Sequence, residues 1–197
     1  PRHEDTMLFV VHKDTPGLEV KGDWDPLGMR GTNSRDLILK DVFVTGDESR
    51  SFRLTPDDLE AARTPRTRGL ILCSPSNPSG VVYDPAELEA VAAWARAHGV
   101  VVVSDEIYRR IHFGSGEGSV APGLMGVDPE KVGPWVVVDG VSKAYAMTGW
   151  RIGYSISTPE VARKLGALQS HTTSNAASPS QAAALAALSH PERADAE

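Results

Sequence analysis

From residue 45 onward, short continuous apolar runs alternate with stretches in which apolar residues recur at helical spacing. The runs are too short for helices and rich in β-branched residues, which is typical of strands that are buried on both faces of a sheet. Three of them stand out, at residues 69–73 (GLILC), 100–104 (VVVVS) and 135–139 (WVVVD), and residues 151–157 are expected to form a further strand.

Helix-start signals lie between these runs. Thr55 and Asp84 are each followed by proline and then by acidic residues, which is the pattern of a capped helix N-terminus. Further helices are predicted from Thr158 and over the alanine-rich residues 178–188. The alternation of strands and helices predicts an α/β fold, with a mainly parallel sheet, flanking helices and right-handed crossovers.

The first 45 residues carry no helix signal. Residues 7–11 (MLFVV) and 36–44 (DLILKDVFV) are β-rich, and the stretch between them is dense in turn residues such as glycine, proline and asparagine. This pattern predicts a short antiparallel β segment. We therefore expect two domains, a β segment over residues 1–45 and an α/β domain over residues 46–197.

Composition narrows the classes of function. Hydrophobic residues make up 41% of the chain and charged residues 23%, which is enough for a packed core. The formal net charge of −6 and the lack of a Lys/Arg-rich run argue against nucleic acid as a partner. No apolar run approaches the roughly 18 residues needed to span a bilayer, so no membrane role is expected.

The positions of the cysteine and the histidines narrow the classes of function further. Cys73 is the single cysteine, which excludes an intrachain disulfide and favours a cytoplasmic location. The six histidines are scattered, without metal-ligand spacing to Cys73, so no metal site is expected.

Polar clusters follow three of the predicted strands, at the point where each strand ends. They are residues 74–80 (SPSNPSG), 104–108 (SDEIY) and 139–143 (DGVSK), the last followed by 148–153 (TGWRIG). Ligands of parallel α/β sheets bind beyond the carboxyl ends of the strands. We therefore expect the clusters to converge on one edge of the sheet.

Each cluster taken singly has a plainer interpretation. Asn77 fits a turn and Asp105 fits a helix cap, while Lys143 and Arg151 are of the types that usually face solvent or form surface ion pairs. Their joint order and spacing favour a functional site instead.

The same clusters resemble the fold-type I aminotransferases that use pyridoxal 5'-phosphate (PLP), class I/II, and most of all the bacterial aspartate and aromatic aminotransferases. The family patterns are Asn-Pro-x-Gly, Asp-x-x-Tyr, and Ser-Lys followed by Gly-x-Arg-x-Gly, and all occur here in that order. The run at 172–188 (TTSNAASPSQAAALAAL) is also similar, so the resemblance covers residues of about 48–190.

The resemblance implies a role for each matching residue. Lys143 would form the Schiff base with PLP and shuttle the substrate proton, and Asp105 would pair with the pyridine nitrogen. The remaining cofactor contacts would come from Asn77 and Tyr108 on the phenolic oxygen, and from Arg151, with Ser142 as a weaker candidate, on the phosphate.

The activity implied is transamination between an amino acid and a 2-oxo acid, in a full-length enzyme that is a homodimer. No segment matches the family's N-terminal glycine-containing loop or its small domain, so we expect an incomplete PLP-binding large domain with little independent activity. A lyase or decarboxylase of the same fold type shares the lysine and the aspartate and is the alternative.

Residues of about 7–44 resemble the middle β-domain of acyl-CoA dehydrogenases. The shared features are a Pro-Gly turn, the Gly-Met-Arg-Gly-Thr-x-Ser motif and a closing Leu-x-Asp-Val-x-Val strand. This resemblance implies a piece of a flavin enzyme, and no site residue can be carried over from it. Two alternatives are a β-hairpin of unrelated role and an inactive composite chain that binds a partner through exposed core surface.

Overall fold

The computed structural model describes residues 18–21, 36–39, 52–77, 79–114, 120–128 and 131–191. The chain divides into two compact units, residues 1–44 and 45–197. In the first unit, β1 (Leu18–Lys21) pairs antiparallel with β2 (Asp36–Leu39). The second strand falls within the predicted run 36–44, whereas the predicted run 7–11 lies outside the described residues.

A four-stranded sheet forms the centre of the second unit. Its strands are β3 (Gly69–Cys73), β4 (Val101–Asp105), β5 (Trp135–Gly140) and β6 (Gly153–Ser157), and they lie side by side in chain order. The first three are parallel and β6 is antiparallel to β5. The predicted α/β fold with a mainly parallel sheet is therefore confirmed.

The reversal at β6 follows from the connection that precedes it. A parallel neighbour requires a crossover, usually a helix, that returns the chain to the starting end of the sheet. Between β5 and β6 the chain forms turns and one short 3-10 helix, Thr148–Trp150, so it re-enters the sheet from the edge at which it left.

In the described part of this unit, four α-helices accompany the sheet, and their starts agree with the sequence prediction. The side chain of Thr55 accepts a hydrogen bond from Asp58 N, and the side chain of Asp84 accepts one from Glu87 N. In turn, the carboxylates of Asp58 and Glu87 accept a hydrogen bond from the backbone N of Thr55 and Asp84, respectively. Each cap thereby satisfies backbone groups that a helix end leaves without partners. The helices are α1 (Pro56–Ala62), α2 (Pro85–Ala97), α3 (Pro159–Thr172) and α4 (Ser178–Leu188).

The main core lies between α2 and one face of the sheet. The buried stripe of α2 packs in one cluster with Leu72, Val102 and Val137, which come from three adjacent strands. Each large side chain buried in this way contributes about 1.5–3 kcal/mol to folding. The stripe consists of Leu88, Val91, Ala92 and Ala95, as its helical spacing predicted.

A second cluster holds the loop between β5 and β6. Val141 and Ile152, near the two ends of this loop, are buried together with Ala184 of α4. Tyr145 and Met147 pack against them. The alanine-rich helix therefore supports the segment that contains Lys143 and Arg151.

Strands β5 and β6 are also joined by a polar cross-strand pair. Asp139 lies opposite Tyr154, whose hydroxyl donates to Asp139 Oδ2 at 3.0 Å, while Gly140 N donates to Oδ1 at 2.6 Å. Burial raises the pKa of Asp139. Burial, together with the charge of Asp139, raises the pKa of Tyr154 to about 12.

Replacing Gly140 by alanine should destabilise the fold. A Cβ there would lie 2.9 Å from the Ile152 carbonyl oxygen and 3.1 Å from the Gly153 Cα, and these backbone atoms move only if β6 moves. We expect a loss of about 1–3 kcal/mol in the free energy of unfolding, measured with urea. Gly166→Ala in α3 is the control, since nothing lies within 4 Å and alanine should add about 0.5–1 kcal/mol. Shifts of the same sign in both variants would contradict this account.

The effect of Tyr154→Phe should depend on pH. Because the folded-state pKa of Asp139 is raised, its contribution to stability is fully present below its unfolded pKa and is lost as the pH rises through the folded pKa. The Tyr154 hydroxyl stabilises the ionised carboxylate, so its removal raises that pKa further. We expect a loss of about 1.5–3 kcal/mol at a pH above the folded pKa of Asp139, where the acceptor is charged, and of about 1 kcal/mol at a pH below its unfolded pKa, where it is neutral. Equal shifts of the urea midpoint in the two pH ranges would show that the Tyr154 hydroxyl does not stabilise an ionised Asp139.

Candidate active site

The carboxyl ends of β3, β4 and β5 and the amino end of β6 lie at one edge of the sheet. The register places Cys73 beside Asp105, Asp105 beside Val138, and Gly140 beside Gly153. The loops that contain the predicted site residues therefore all start or end at this edge, which is where parallel α/β sheets bind ligands.

Asp105 ends the central strand of these three. Its carbonyl oxygen accepts a hydrogen bond from Ser74 N of the neighbouring loop at 3.1 Å, and its Oδ1 accepts one from Ile107 N at 3.2 Å. Burial raises the pKa of the Cys73 thiol, and the negative charge of Asp105 adds to this rise. A half-buried carboxylate is thus fixed at the sheet edge by its own strand and turn.

Tyr108 lies in the turn 107–110 that follows β4. Its hydroxyl accepts a hydrogen bond from Asn77 Nδ2 at 3.3 Å, which links the loop after β3 to the turn after β4. The Asn77 loop is closed by Gly80 at φ +70°, a conformation that favours glycine, and Gly80 N donates to Ser76 O at 2.7 Å. Two of the three clusters therefore meet through side chains.

Lys143 brings the third cluster to the same point. It lies in the turn after β5, and its Nζ is 5.5 Å from the centroid of the Tyr108 ring, within the range of a cation–π contact. Tyr108 therefore contacts Asn77 through its hydroxyl and Lys143 through its ring. Ser142 precedes Lys143 in this turn and is half-buried.

Arg151 lies just before β6. Its backbone is left-handed at φ 52° and ψ 48°, which ends the 3-10 helix and turns the chain into the strand. Its side chain is exposed, and Nη1 donates to Thr148 O within its own loop at 3.1 Å. The structure thus joins Asn77, Tyr108 and Lys143 by contact, whereas Asp105, Ser142 and Arg151 lie on segments that end or begin at the same edge of the sheet.

Sequence reasoning missed several polar residues of this edge. Glu106 is completely buried, and Ser74 is buried with its Oγ accepting a hydrogen bond from Tyr83 N at 3.1 Å. The pair of Asp139 and Tyr154 was also missed. The cluster SDEIY gives no sign of which acidic residue is buried, because the turn after β4, and not a period in the sequence, sets the orientation of Glu106.

The donor set at this edge suits a phosphorylated pyridine aldehyde. A carboxylate can pair with a protonated ring nitrogen, a phenol and an amide with a phenolic oxygen, and a guanidinium with a phosphate. Lys143 supplies an amine on a flexible stem.

Metal and membrane features were searched within the described parts of the chain alone. Among those residues, no group of three or more His, Cys, Asp or Glu side chains comes together as a metal site. In the same residues, no helix is long and apolar enough to cross a membrane.

Curated proteins similar to this chain are aminotransferases. Among curated proteins, the chain is 43% identical over 151 residues to an aspartate aminotransferase of Geobacillus stearothermophilus, covering 77% of this chain and 38% of that protein. It is 40% identical over 147 residues to an asparagine–oxo-acid transaminase of Streptococcus mutans, covering 75% and 37%.

Solved structures agree with these relatives. The aspartate aminotransferase from Thermus thermophilus with maleate superposes with a TM-score of 0.66 at 37% identity, covering 77% of this chain and 38% of that one. An aromatic aminotransferase from Pyrococcus horikoshii OT3 gives a TM-score of 0.65 at 31% identity, covering 74% and 38%.

The match covers most of this chain but little more than a third of the relatives. The curated relatives above are covered over 38% and 37% of their length. The findings lend no support to the predicted resemblance of residues 7–44 to acyl-CoA dehydrogenases. The family described as aminotransferase class I and II matches residues 40–197. The chain belongs to the aminotransferase class I and II family.

Proposed function

We propose that residues 46–197 are part of a PLP-binding large domain that serves transamination between an amino acid and a 2-oxo acid. The observation that carries the proposal is the chain of contacts from Asn77 through Tyr108 to Lys143, at the edge where Asp105 ends β4. Asn77, Tyr108 and Lys143 come from three separate loops, so their contact is a property of the fold and not of one local turn.

PLP, when bound, supplies an aldehyde that condenses with amines and a ring that withdraws electrons from the substrate. Lys143 would be the amine that attaches the cofactor to the chain and that moves the substrate's α-proton. Asp105 would pair with the ring nitrogen and favour its protonated form through a charge-assisted hydrogen bond.

The other site residues would orient the cofactor. Asn77 and Tyr108 would donate hydrogen bonds to its phenolic oxygen, and their mutual bond of 3.3 Å places the two donors side by side. Arg151 would bind the phosphate, since a guanidinium presents paired N–H donors that match phosphate oxygens. Ser142 adds a hydroxyl donor from the turn of Lys143.

The names of the relatives support a proposal for the substrate class. Two relatives are named as aminotransferases of aspartate and of asparagine, and one solved relative holds maleate, a four-carbon dicarboxylate. We therefore infer a four-carbon acidic or amide amino acid as the donor. The complete protein is inferred to be a cytoplasmic homodimer.

The first test asks which lysine carries the cofactor. At near-stoichiometric PLP, borohydride reduction followed by peptide mapping should label Lys143 and no other lysine. Lys131 and Lys164 form ion pairs with Glu89 at 3.3 Å and Glu160 at 2.8 Å, away from the site loops. Lys143→Ala should abolish the label and Lys164→Ala should leave it unchanged. An even label over several lysines, persisting in Lys143→Ala, would refute the proposed site.

The second test concerns the charge on Asp105. Asp105→Asn should weaken PLP binding by about ten- to a hundredfold, because a hydrogen bond to a charged group contributes about 1.5–3 kcal/mol. The measurement is an absorbance titration of the chain with PLP. Asp57→Asn, an exposed change in the first turn of α1, is the matched control and should bind as the wild type does. Equal affinity of the Asp105 variant and the control would remove Asp105 from the site.

A further inference from the structure

Glu106 is a buried carboxylate that none of the proposed cofactor contacts uses. It follows Asp105 directly and has no solvent exposure. Its Oε1 accepts hydrogen bonds from Ser104 Oγ at 2.9 Å and from Leu124 N at 2.7 Å. Its Oε2 has no hydrogen bond and faces Arg109 Nη1 at 3.2 Å. A buried charge of this kind is stable only while its countercharge stays in place.

Arg109 joins this carboxylate to a second segment. Arg109 Nε donates to Ala121 O at 3.3 Å, and Ala121 N donates to Arg109 O at 2.9 Å. Leu124 N is held by Glu106 itself, and any Cβ at Gly123 would collide with the Glu106 carboxylate. Residues 121–124 are therefore fastened to the turn 107–110 by one backbone hydrogen bond and by the side chains of Glu106 and Arg109, which form an ion pair with each other.

The backbone of the turn is anchored at the same residue. Glu106 N donates to Val138 O of β5 at 2.9 Å, and Arg109 N donates to Glu106 O at 2.9 Å. Tyr108 lies between Glu106 and Arg109, which form the two ends of the ion pair. Its orientation toward Asn77 and Lys143 thus depends on how firmly those ends are held.

We propose that Glu106 is a positioning residue, whose buried charge holds Arg109 and thereby sets the turn that presents Tyr108 to Asn77 and Lys143. The consequence for the cofactor rests on the proposed function, whereas the order of the turn is a property of the chain alone. The Arg109 side chain is 29% exposed, so without its countercharge it can turn to solvent and release the Ala121 carbonyl, which leaves Arg109 attached to Ala121 by a backbone hydrogen bond alone.

Glu106→Gln tests this proposal because it keeps the shape of the side chain and removes its charge. In the full chain without cofactor, amide hydrogen exchange over residues 107–111 and 121–124 should speed up about tenfold more than over α2. Leu59→Ala, which opens a cavity beneath α1, is the control and should speed exchange without favouring these segments. A uniform change in Glu106→Gln, or the same profile in both variants, would overturn the proposal.

A second variant covers the case in which Glu106→Gln fails to fold. Arg109→Lys keeps the positive charge and loses the Nε donor to Ala121, so exchange in the same two segments should rise by a smaller factor. Unchanged exchange in both segments of Arg109→Lys would also overturn the proposal.

PLP affinity distinguishes a positioning role of Glu106 from a purely structural one, because a purely structural role would leave the affinity unchanged. Glu106→Gln should weaken the condensation of PLP with Lys143 by about tenfold, and Leu59→Ala by less than about twofold. Looser turn exchange with unchanged PLP affinity would refute the positioning role. If the wild-type chain shows no selective labelling of Lys143, the proposed function fails, and the exchange profiles alone decide whether Glu106 orders the turn.

Discussion

The shared edge of the sheet is the constraint on which the site depends. Parallel pairing of β3, β4 and β5 brings three carboxyl ends together, and the antiparallel return of β6 adds its amino end. Three loops that are far apart in sequence therefore begin or end within a few strand spacings of one another, and the loop between β5 and β6 does both. Any shift of β6 relative to β5 would move Arg151 relative to Lys143, because Gly140 and Gly153 pair directly.

Tyr108 is the residue through which these loops meet. Its hydroxyl is held by Asn77 and its ring lies under the Lys143 ammonium, so one side chain orders an amide and an amine from different loops. Beneath it, Glu106 and Arg109 form an ion pair that is closed to water on the Glu106 side. The candidate site is thereby supported by the ion pair of Glu106 and Arg109 as well as by apolar packing.

The sequence was sufficient for most of the α/β fold, whereas the roles of the candidate residues that it named stay predictions. Apolar runs located β3, β4 and β5 to within a residue, and the caps at Thr55 and Asp84 located two helix starts, because both signals are local. The direction of β6, the burial of Glu106 and the bond between Asp139 and Tyr154 were not predictable. Each depends on how distant segments pack. Asp105 and Glu106 are adjacent acidic residues, and the sequence does not show which of the two is buried, because the conformation of the turn decides it. The resemblance of residues 7–44 to a flavin enzyme rested on a short motif and found no support.

The central claim is that the three loops form one PLP site in this chain, and a crystal structure of the chain with PLP tests it most directly. We predict continuous density from Lys143 Nζ to the cofactor, with the ring nitrogen facing the Asp105 carboxylate, the phenolic oxygen within hydrogen-bonding distance of Tyr108, and the phosphate at Arg151. Cofactor bound at another lysine, or a ring nitrogen turned away from Asp105, would contradict the account.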